Sequence, residues 1–455
     1  MTTIFTVCLA TWDLRKSSLK WNNFPMKEQT FLIITKEEIS FWKSCQLITK
    51  NLIQSYQLAL KGHNIQFLKV EEDLTPASAY KHALKIKEIN PQGLIWVDHE
   101  PCSALLLNAL NNVLSDKPYN DKPKFFIHLF GDFVLQCRQW ETTLKSLNEF
   151  PVHFLVASDA QKVLVDKMFI STKNITTVIP FPVEKSVFNA SAFSQQRNLM
   201  REKFKLKDEV VLLYTGRMSL QKNIDSLINT FTKVKNLVGG NAELWLAGPW
   251  DNILLPYHGT RGLPGSYFSQ FKSSLLDKGL SNVRFLGDLD EEELLGVYHA
   301  SDMFVSFSTF NDDDYGMSIA EALMCGLPAL LTQWGGLPTF KKYSEHVDLV
   351  PVEFQDVRMH PQSILAQKKM MAKILEIKEN KFPREEMASY SANHLSIEAV
   401  GKKLEELLFA VDFNAKIEFS QVFYKLSTTF HLSSDAPFKN NLGLYKDVYG
   451  DYGTL

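Results

Sequence analysis

Cysteine is scarce in this chain of 455 residues: Cys8, Cys45, Cys102, Cys137 and Cys325 are scattered, odd in number and free of C-x-x-C spacing. That pattern argues against a disulfide frame or a structural zinc site and fits a reducing cytoplasm. An excess of one charge is missing too. With 49 basic and 51 acidic residues the net charge is -2, so no global field favours nucleic acid or another polyanion. No uninterrupted apolar run approaches the ~20 residues that span a bilayer. The start, Met1-Thr2-Thr3-Ile4-Phe5, lacks the basic n-region of a secretory signal. The expectation is a cytoplasmic protein, at most peripheral at the inner face of a membrane. The phosphate-loop pattern G-x-x-x-x-G-K-[ST] is absent, which removes that class of NTPase, and no low-complexity tract or short repeat is visible.

What the chain has is an α/β rhythm. In its first part Phe31-Leu32-Ile33-Ile34, Ile65-Gln66-Phe67-Leu68, Leu94-Ile95-Trp96-Val97, Phe125-Phe126-Ile127 and Phe154-Leu155-Val156-Ala157 read as buried parallel strands. Between the first two, Phe41, Cys45, Ile48, Leu52, Ile53 and Tyr56 recur at helical spacing, and Gly62 stands where a cap would end the helix. A second series follows at 210–214, 244–247, 283–286, 303–306, 329–332 and 349–350, predicting a second parallel sheet. The polar stretch from Phe188 to Gln196, after Pro180-Phe181-Pro182, marks the boundary between two domains. A cleft between two such sheets is where a ligand is expected. Beyond about 412 the alternation breaks, and Phe413, Phe419, Phe423, Tyr424, Phe430, Phe438, Tyr445, Tyr449 and Tyr452 dot a tail that reads as packed back on the body.

Three segments carry chemistry. Asp313-Asp314-Tyr315-Gly316-Met317-Ser318-Ile319-Ala320-Glu321 puts two carboxylates around a glycine turn that opens a helix. Backbone N–H groups there are free to meet a diphosphate, while Glu321 faces a ribose or sugar hydroxyl. Gly335-Gly336-Leu337-Pro338 follows closely. After the strand ending at Thr215, Gly216-Arg217-Met218-Ser219-Leu220-Gln221-Lys222 places a guanidinium and an ammonium ahead of a helix, where together they neutralise a diphosphate; the plain alternative is a solvated basic loop. Asp312-Asp313-Asp314 also admits a metal-clamp reading with oxygen ligands. It ranks lower because the run comes late and leads straight into the helix of Glu321. In the first part, Trp96-Val97-Asp98-His99-Glu100-Pro101 and Phe126-Ile127-His128-Leu129-Phe130-Gly131-Asp132 end strands that face the cleft. They offer His99, with His128 and Asp132 as weaker candidates; a lone histidine is more often structural.

On these residues the chain resembles the retaining GT-B glycosyltransferases of family 4, glycosyl transferases group 1, over most of its length to about residue 410. Gly216-Arg217 with Lys222 resembles the family's diphosphate pair, and Asp313 with Glu321 its E-x7-E signature, with Asp for the first Glu. Leu60-Lys61-Gly62-His63, Phe285-Leu286-Gly287, Glu293-Leu294 and Tyr298 are similar to family joints. His99-Glu100-Pro101 is similar to the segment of phosphatidylinositol mannosyltransferases that brings a histidine to the donor sugar. Where the family usually has a Gly-Gly loop, this chain has Lys43-Ser44-Cys45, and Met1 to about Gln29 and the tail are unusual.

The resemblance implies a GT-B fold of two Rossmann-like domains facing a central cleft. Residues 1–190 form an acceptor-side domain and 191–385 a nucleotide-sugar domain. A helix over 386–412 crosses back to the first domain, and 413–455 extend it. It implies a retaining, metal-independent transfer of a hexose from a nucleoside diphosphate sugar, UDP- or GDP-hexose, to a hydroxyl of a glycan, lipid or small molecule in bacterial glycan, lipopolysaccharide or glycolipid synthesis. No tightly bound cofactor is implied. The catalytic set is His99, Arg217, Lys222 and Asp313. The donor-binding set is Gly216, Arg217, Lys222, Asp313, Tyr315, Gly316, Met317, Ser318 and Glu321. The competing class is a GT-B nucleotide-sugar-binding or regulatory protein that has lost transfer.

Overall fold

A computed structural model describes residues 28–38, 43–131, 133–134, 136–171, 174–191, 193–250, 280, 282–311, 313–355, 358–411, 417–432, 438 and 441–454. Asp312, Asp132, Cys8, Phe413 and the segment before Glu28 lie outside these residues.

The first series of apolar runs becomes β1 (Thr30–Lys36), β2 (Asn64–Val70), β3 (Gly93–Trp96), β4 (Lys124–His128), β5 (Val152–Val156), β6 (Phe169–Ser171) and β7 (Thr176–Val178). All but β6 form one sheet in the order β2-β1-β3-β4-β5-β7, paired in parallel throughout. The second series becomes β8 (Val210–Thr215), β9 (Ala242–Ala247), β10 (Val283–Gly287), β11 (Met303–Ser306), β12 (Ala329–Thr332) and β13 (Val347–Val350). Their order is β10-β9-β8-β11-β12-β13, again parallel. Central strands such as β3, β5, β8, β9 and β11 are buried at every position, which is why they read as continuous apolar runs rather than alternations. In both sheets the order turns back beside the first strand of the series, so the carboxyl ends of β3, β4, β8 and β11 meet at one crevice.

Two crossings join the domains side by side. The chain leaves the first domain through Pro180-Phe181-Pro182-Val183, and it returns at Ser396, between the helices Arg384–Leu395 and Ile397–Ala410. Val183 N–H donates to Leu395 O at 2.8 Å, and Val183 bridges Ser396. Residues 384–410 are thus two helices, broken where Ser396 adopts an extended conformation and its hydroxyl accepts from Ala399 N–H. The first packs on the Met317–Met324 helix, the second along the Lys43–Ala59 helix of the first domain. At that contact a Cβ on Gly401 would lie 3.0 Å from Ser55 O, so the glycine permits the close approach.

The tail continues past the second crossing. β16 (Ile417–Phe419) pairs antiparallel with β6, and Phe419, Phe423, Phe438, Tyr445, Tyr449 and Tyr452 are buried in the core on one face of the first sheet. β14 (Val352–Gln355) and β15 (Arg358–Pro361) form a separate hairpin. Among the described residues no helix is long and apolar enough to cross a membrane.

Candidate active site

The basic loop is built by two turns packed backbone to backbone. Gly216, at φ +142° after β8, receives the turn after β9 so closely that a Cβ on Gly248 would sit 2.2 Å from Gly216 O. Gly216 N–H donates to Ala247 O and Met218 N–H to Pro249 O, both at 2.9 Å. Tyr214 hydroxyl donates to Arg217 O at 2.8 Å and fixes the backbone from which the guanidinium projects. Lys222 ends a single 3-10 turn, Leu220–Lys222, and the chain then reverses through Asn223 at φ 49°. The buried Asn223 amide donates to Phe307 O at 2.9 Å and Thr309 Oγ1 at 2.8 Å, and Thr309 N–H donates to Gln221 O. The basic loop and the acidic loop are therefore one hydrogen-bonded unit.

Across that unit Lys222 Nζ lies 2.5 Å from Asp313 Oδ1, and Ser308 hydroxyl donates to Asp313 Oδ2. The neighbouring carboxylate turns the other way. Asp314 accepts from Gln161 Nε2 of the first domain at 3.3 Å and from Tyr452 hydroxyl of the tail at 2.5 Å. These adjacent carboxylates thus face opposite sides, each held by protein donors, while Asp312, the other end of the Asp-x-Asp pattern, lies outside the described residues. Among the described residues no cluster of three metal-ligating side chains occurs.

Gly316 caps the Met317–Met324 helix, and a Cβ on it would come within 2.6 Å of Ile319 Cδ1. Ile319 and Ala320 N–H both donate to Gly316 O, so the Met317 and Ser318 amides are the helix's leading N–H groups, those without an intrahelical acceptor. One turn on, Glu321 accepts from Tyr298 hydroxyl at 2.9 Å; that oxygen is 2.9 Å from Thr215 Oγ1. Tyr315 hydroxyl donates to Phe181 O, tying the loop to the first crossing between the domains.

On the other wall His99 follows β3. Its Nδ1 is 3.1 Å from Asp98 Oδ1, and its carbonyl accepts from Gln136 Nε2 at 2.8 Å. Trp96 Nε1 donates to Glu100 O and Lys36 pairs with Glu100, so the loop is fastened on both sides of the imidazole. His128 is not at the site. It is buried against Tyr56, whose hydroxyl lies 2.6 Å from Nε2, and burial pushes its pKa down to about 3.

A cavity of about 1000 Å³ joins these walls. Its lining includes Gly216, Arg217, Lys222, Asp313, Tyr315, Gly316, Met317, Ser318 and Glu321 from the second domain and His99 from the first. Lys43, Ser44 and Cys45 line its mouth, where Lys43 pairs with Asp288 of the second domain at 2.9 Å. Both partners of that pair are exposed, so it adds little to stability. Sequence reasoning missed Ser308, Asn223, Gly248 and the Asp314 to Tyr452 contact; for Gly248 the Gly-Pro step directly after β9 is a usable signal.

Burial pushes the Glu321 carboxyl up from an ordinary 4.5 to about 7, against the Tyr298 hydroxyl, which stabilises its charge. Burial does the same to Asp314, from 3.8 to about 7. The raised Glu321 value means the empty protein holds a proton that the unfolded chain releases. Its stabilising contribution is complete below 4.5 and is lost as pH rises through 7. Glu321→Gln should therefore melt progressively higher relative to wild type as pH rises from about 5 to about 8.5. Asp314 is present in both proteins and cancels from the difference. Parallel melting curves across that range would contradict the assignment.

Residues 195–355, which include the second sheet, match the family model of glycosyl transferases group 1. Mannosylfructose-phosphate synthase of Agrobacterium fabrum is 28% identical over 185 residues, 40% of this chain and 38% of that protein. D-inositol 3-phosphate glycosyltransferase of Corynebacterium jeikeium is 37% identical over 81 residues, 18% and 19% of the two chains. The chain thus spans well under half the length of these curated relatives. Among solved structures, Anabaena HepE in complex with UDP superposes with a TM-score of 0.61 at 13% identity, covering 84% of this chain and 100% of that one. Sucrose-phosphate synthase from Thermosynechococcus elongatus superposes with a TM-score of 0.56 at 15% identity, covering 84% and 98%. These likenesses give the 84% of the chain that they cover the GT-B fold.

Proposed function

We propose that this protein is a retaining glycosyltransferase that moves a hexose from a nucleoside diphosphate sugar to a hydroxyl acceptor. The observation that carries the reading is the single cavity in which two cations and a helix N-terminus face a histidine from the opposite domain. The group 1 match of the second domain supports the donor side, and the UDP bound by HepE makes a uridine nucleotide the first donor to try.

In this reading Arg217, Lys222 and the Met317 and Ser318 amides hold the diphosphate. Glu321, carried by the same helix, accepts from the ribose hydroxyls; Asp313 contacts hydroxyls of the transferred sugar. When donor binds, its phosphate oxygens take Lys222 over from Asp313 and release that carboxylate to the sugar. The bond from the anomeric carbon to the diphosphate oxygen breaks, and a bond to the acceptor oxygen forms on the same face. The acceptor's proton passes to the departing diphosphate. The two cations and the helix amides stabilise the charge that grows on the leaving group, in a cleft that excludes water. They take the part a divalent ion plays elsewhere, so the transfer is metal-independent. His99, held by Asp98, hydrogen-bonds the sugar at the reacting end. The acceptor, a glycan, lipid or small molecule, enters beside Lys43-Ser44-Cys45.

His99→Ala tests the two-sided site. Its turnover of UDP-glucose or GDP-mannose should fall about 10²-fold while nucleotide affinity stays within about twofold. A wild-type rate would return His99 to a structural role. Nucleotide binding by the wild-type protein, with no hydrolysis or transfer from any sugar nucleotide, would favour the nucleotide-sugar-binding reading.

A further inference from the structure

The tail from Ile417 to Thr454 lies outside the matched family region, yet it reaches the loop that carries Asp313. Its root is in the first domain. β16 extends β6, Asn148 Nδ2 donates to Ile417 O at 2.7 Å, and the Gln421–Leu432 helix packs on the Cys137–Leu147 and Asp159–Met168 helices. Lys167 Nζ donates to Val448 O at 3.1 Å and pairs with Asp451 at 2.8 Å. Its end reaches across to the second domain. Tyr445 hydroxyl donates to Asn311 Oδ1 at 2.9 Å, Tyr452 hydroxyl to Asp314 Oδ1, and Gly335 N–H to Tyr452 O at 3.0 Å. The Tyr452 ring packs edge-on against Trp334, whose Nε1 donates to Phe310 O at 3.0 Å. Gly336 N–H then donates to Asp313 O at 2.8 Å.

We propose that Tyr445 and Tyr452 are positioning residues for the donor-sugar subsite, setting the backbone of Asp313 by gripping Asn311 and Asp314 on either side of it. The chemical role given to Asp313 rests on the function proposed above; the grip itself does not. Asp313 points into the cavity and Asp314 away from it, so the peptide between them can rotate only if Asp314 leaves its partners. Gln161 supplies one of those partners and the tail the other, and both are rooted in the first domain. The tail thereby transmits the position of the first domain to a carboxylate of the second. The two hydroxyls grip the loop at Asn311 and Asp314 rather than at the diphosphate-binding residues, so diphosphate binding should not depend on them.

The test uses the full chain carrying Tyr445→Phe and Tyr452→Phe, which keeps both rings packed and removes both hydroxyls. Amide hydrogen exchange should quicken roughly tenfold or more in residues 309–317 and 334–337 and stay at wild-type rates elsewhere, with melting lowered by no more than a few degrees. Turnover of UDP-glucose should fall roughly tenfold at an unchanged calorimetric Kd for UDP, a loss in kcat rather than in nucleotide binding. Unaltered exchange in both segments would overturn the proposal. So would loosening spread over the whole chain, which would make the hydroxyls general supports of the fold. If the double variant does not fold, Tyr452→Phe alone is read in the same way. Should the wild-type protein neither bind UDP nor turn over UDP-glucose, the uridine donor fails, and the exchange comparison still decides the role of the tail.

Discussion

Lys222→Ala should lower turnover by about two to three orders of magnitude with the fold intact. The ammonium has two tasks. In the empty site it neutralises Asp313, a carboxylate only 7% exposed whose other recorded partner is the Ser308 hydroxyl. In the proposed donor complex it offsets the negative charge that grows on the leaving diphosphate. Removing it strands a largely buried carboxylate and takes away one of two cations facing the phosphates. The fold survives because the loop's backbone is held by Asn223, Gln221 and Thr309 rather than by the lysine side chain. Lys222→Arg separates the two tasks, since a guanidinium restores the charge but not the compact geometry at Asp313. Measuring kcat and melting temperature for both variants checks this. A near-normal rate for Lys222→Ala would remove it from the leaving-group site.

Gly336→Ala is expected to cost about 2–4 kcal/mol of stability and to abolish turnover well below the melting temperature. Backbone angles are not the reason, for Gly336 has an ordinary φ of -76°. The reason is space. An added Cβ would stand 1.9 Å from Asp314 O and 2.9 Å from Ser158 Oγ, between the acidic loop and the N-terminus of the Asp159–Met168 helix. Backbone on one side cannot yield without breaking the Gly336 to Asp313 hydrogen bond. Gly443→Ala is the matched control: its Cβ would meet only Asn441 Oδ1, at 3.8 Å, within a helix, so it should be neutral or slightly stabilising. Equal behaviour of the two variants in thermal melts and turnover would contradict the packing argument.

The parts of the site legible in sequence are those whose partners are close in the chain. Strands buried on both faces announced themselves as apolar runs, and Arg217, Lys222, Gly316 and Glu321 stood at the ends or starts of such elements, where an α/β sheet collects ligands. Their supports were hidden because they are remote. Tyr298 meets Glu321 across 23 residues, Asn223 meets Thr309 across 86 and Tyr452 meets Asp314 across 138. No periodicity encodes such pairs. The tail shows the same limit. Its aromatics pack on the body, but the two hydroxyls that turn from that packing toward Asn311 and Asp314 carry no local signature. The break at Ser396 was also unread, although a serine ahead of Ile397 is an ordinary helix start.

The central claim is that Arg217, Lys222 and the Met317–Met324 helix form a metal-independent site for a nucleoside diphosphate. Calorimetric titration of the protein with UDP, GDP, ADP, CDP and dTDP, with and without magnesium, and again on Arg217→Ala, tests it most directly. The account predicts micromolar binding of one diphosphate without magnesium, lost in the variant. Binding that requires magnesium, or that survives in Arg217→Ala, would contradict it, as would a folded protein that binds none of the five.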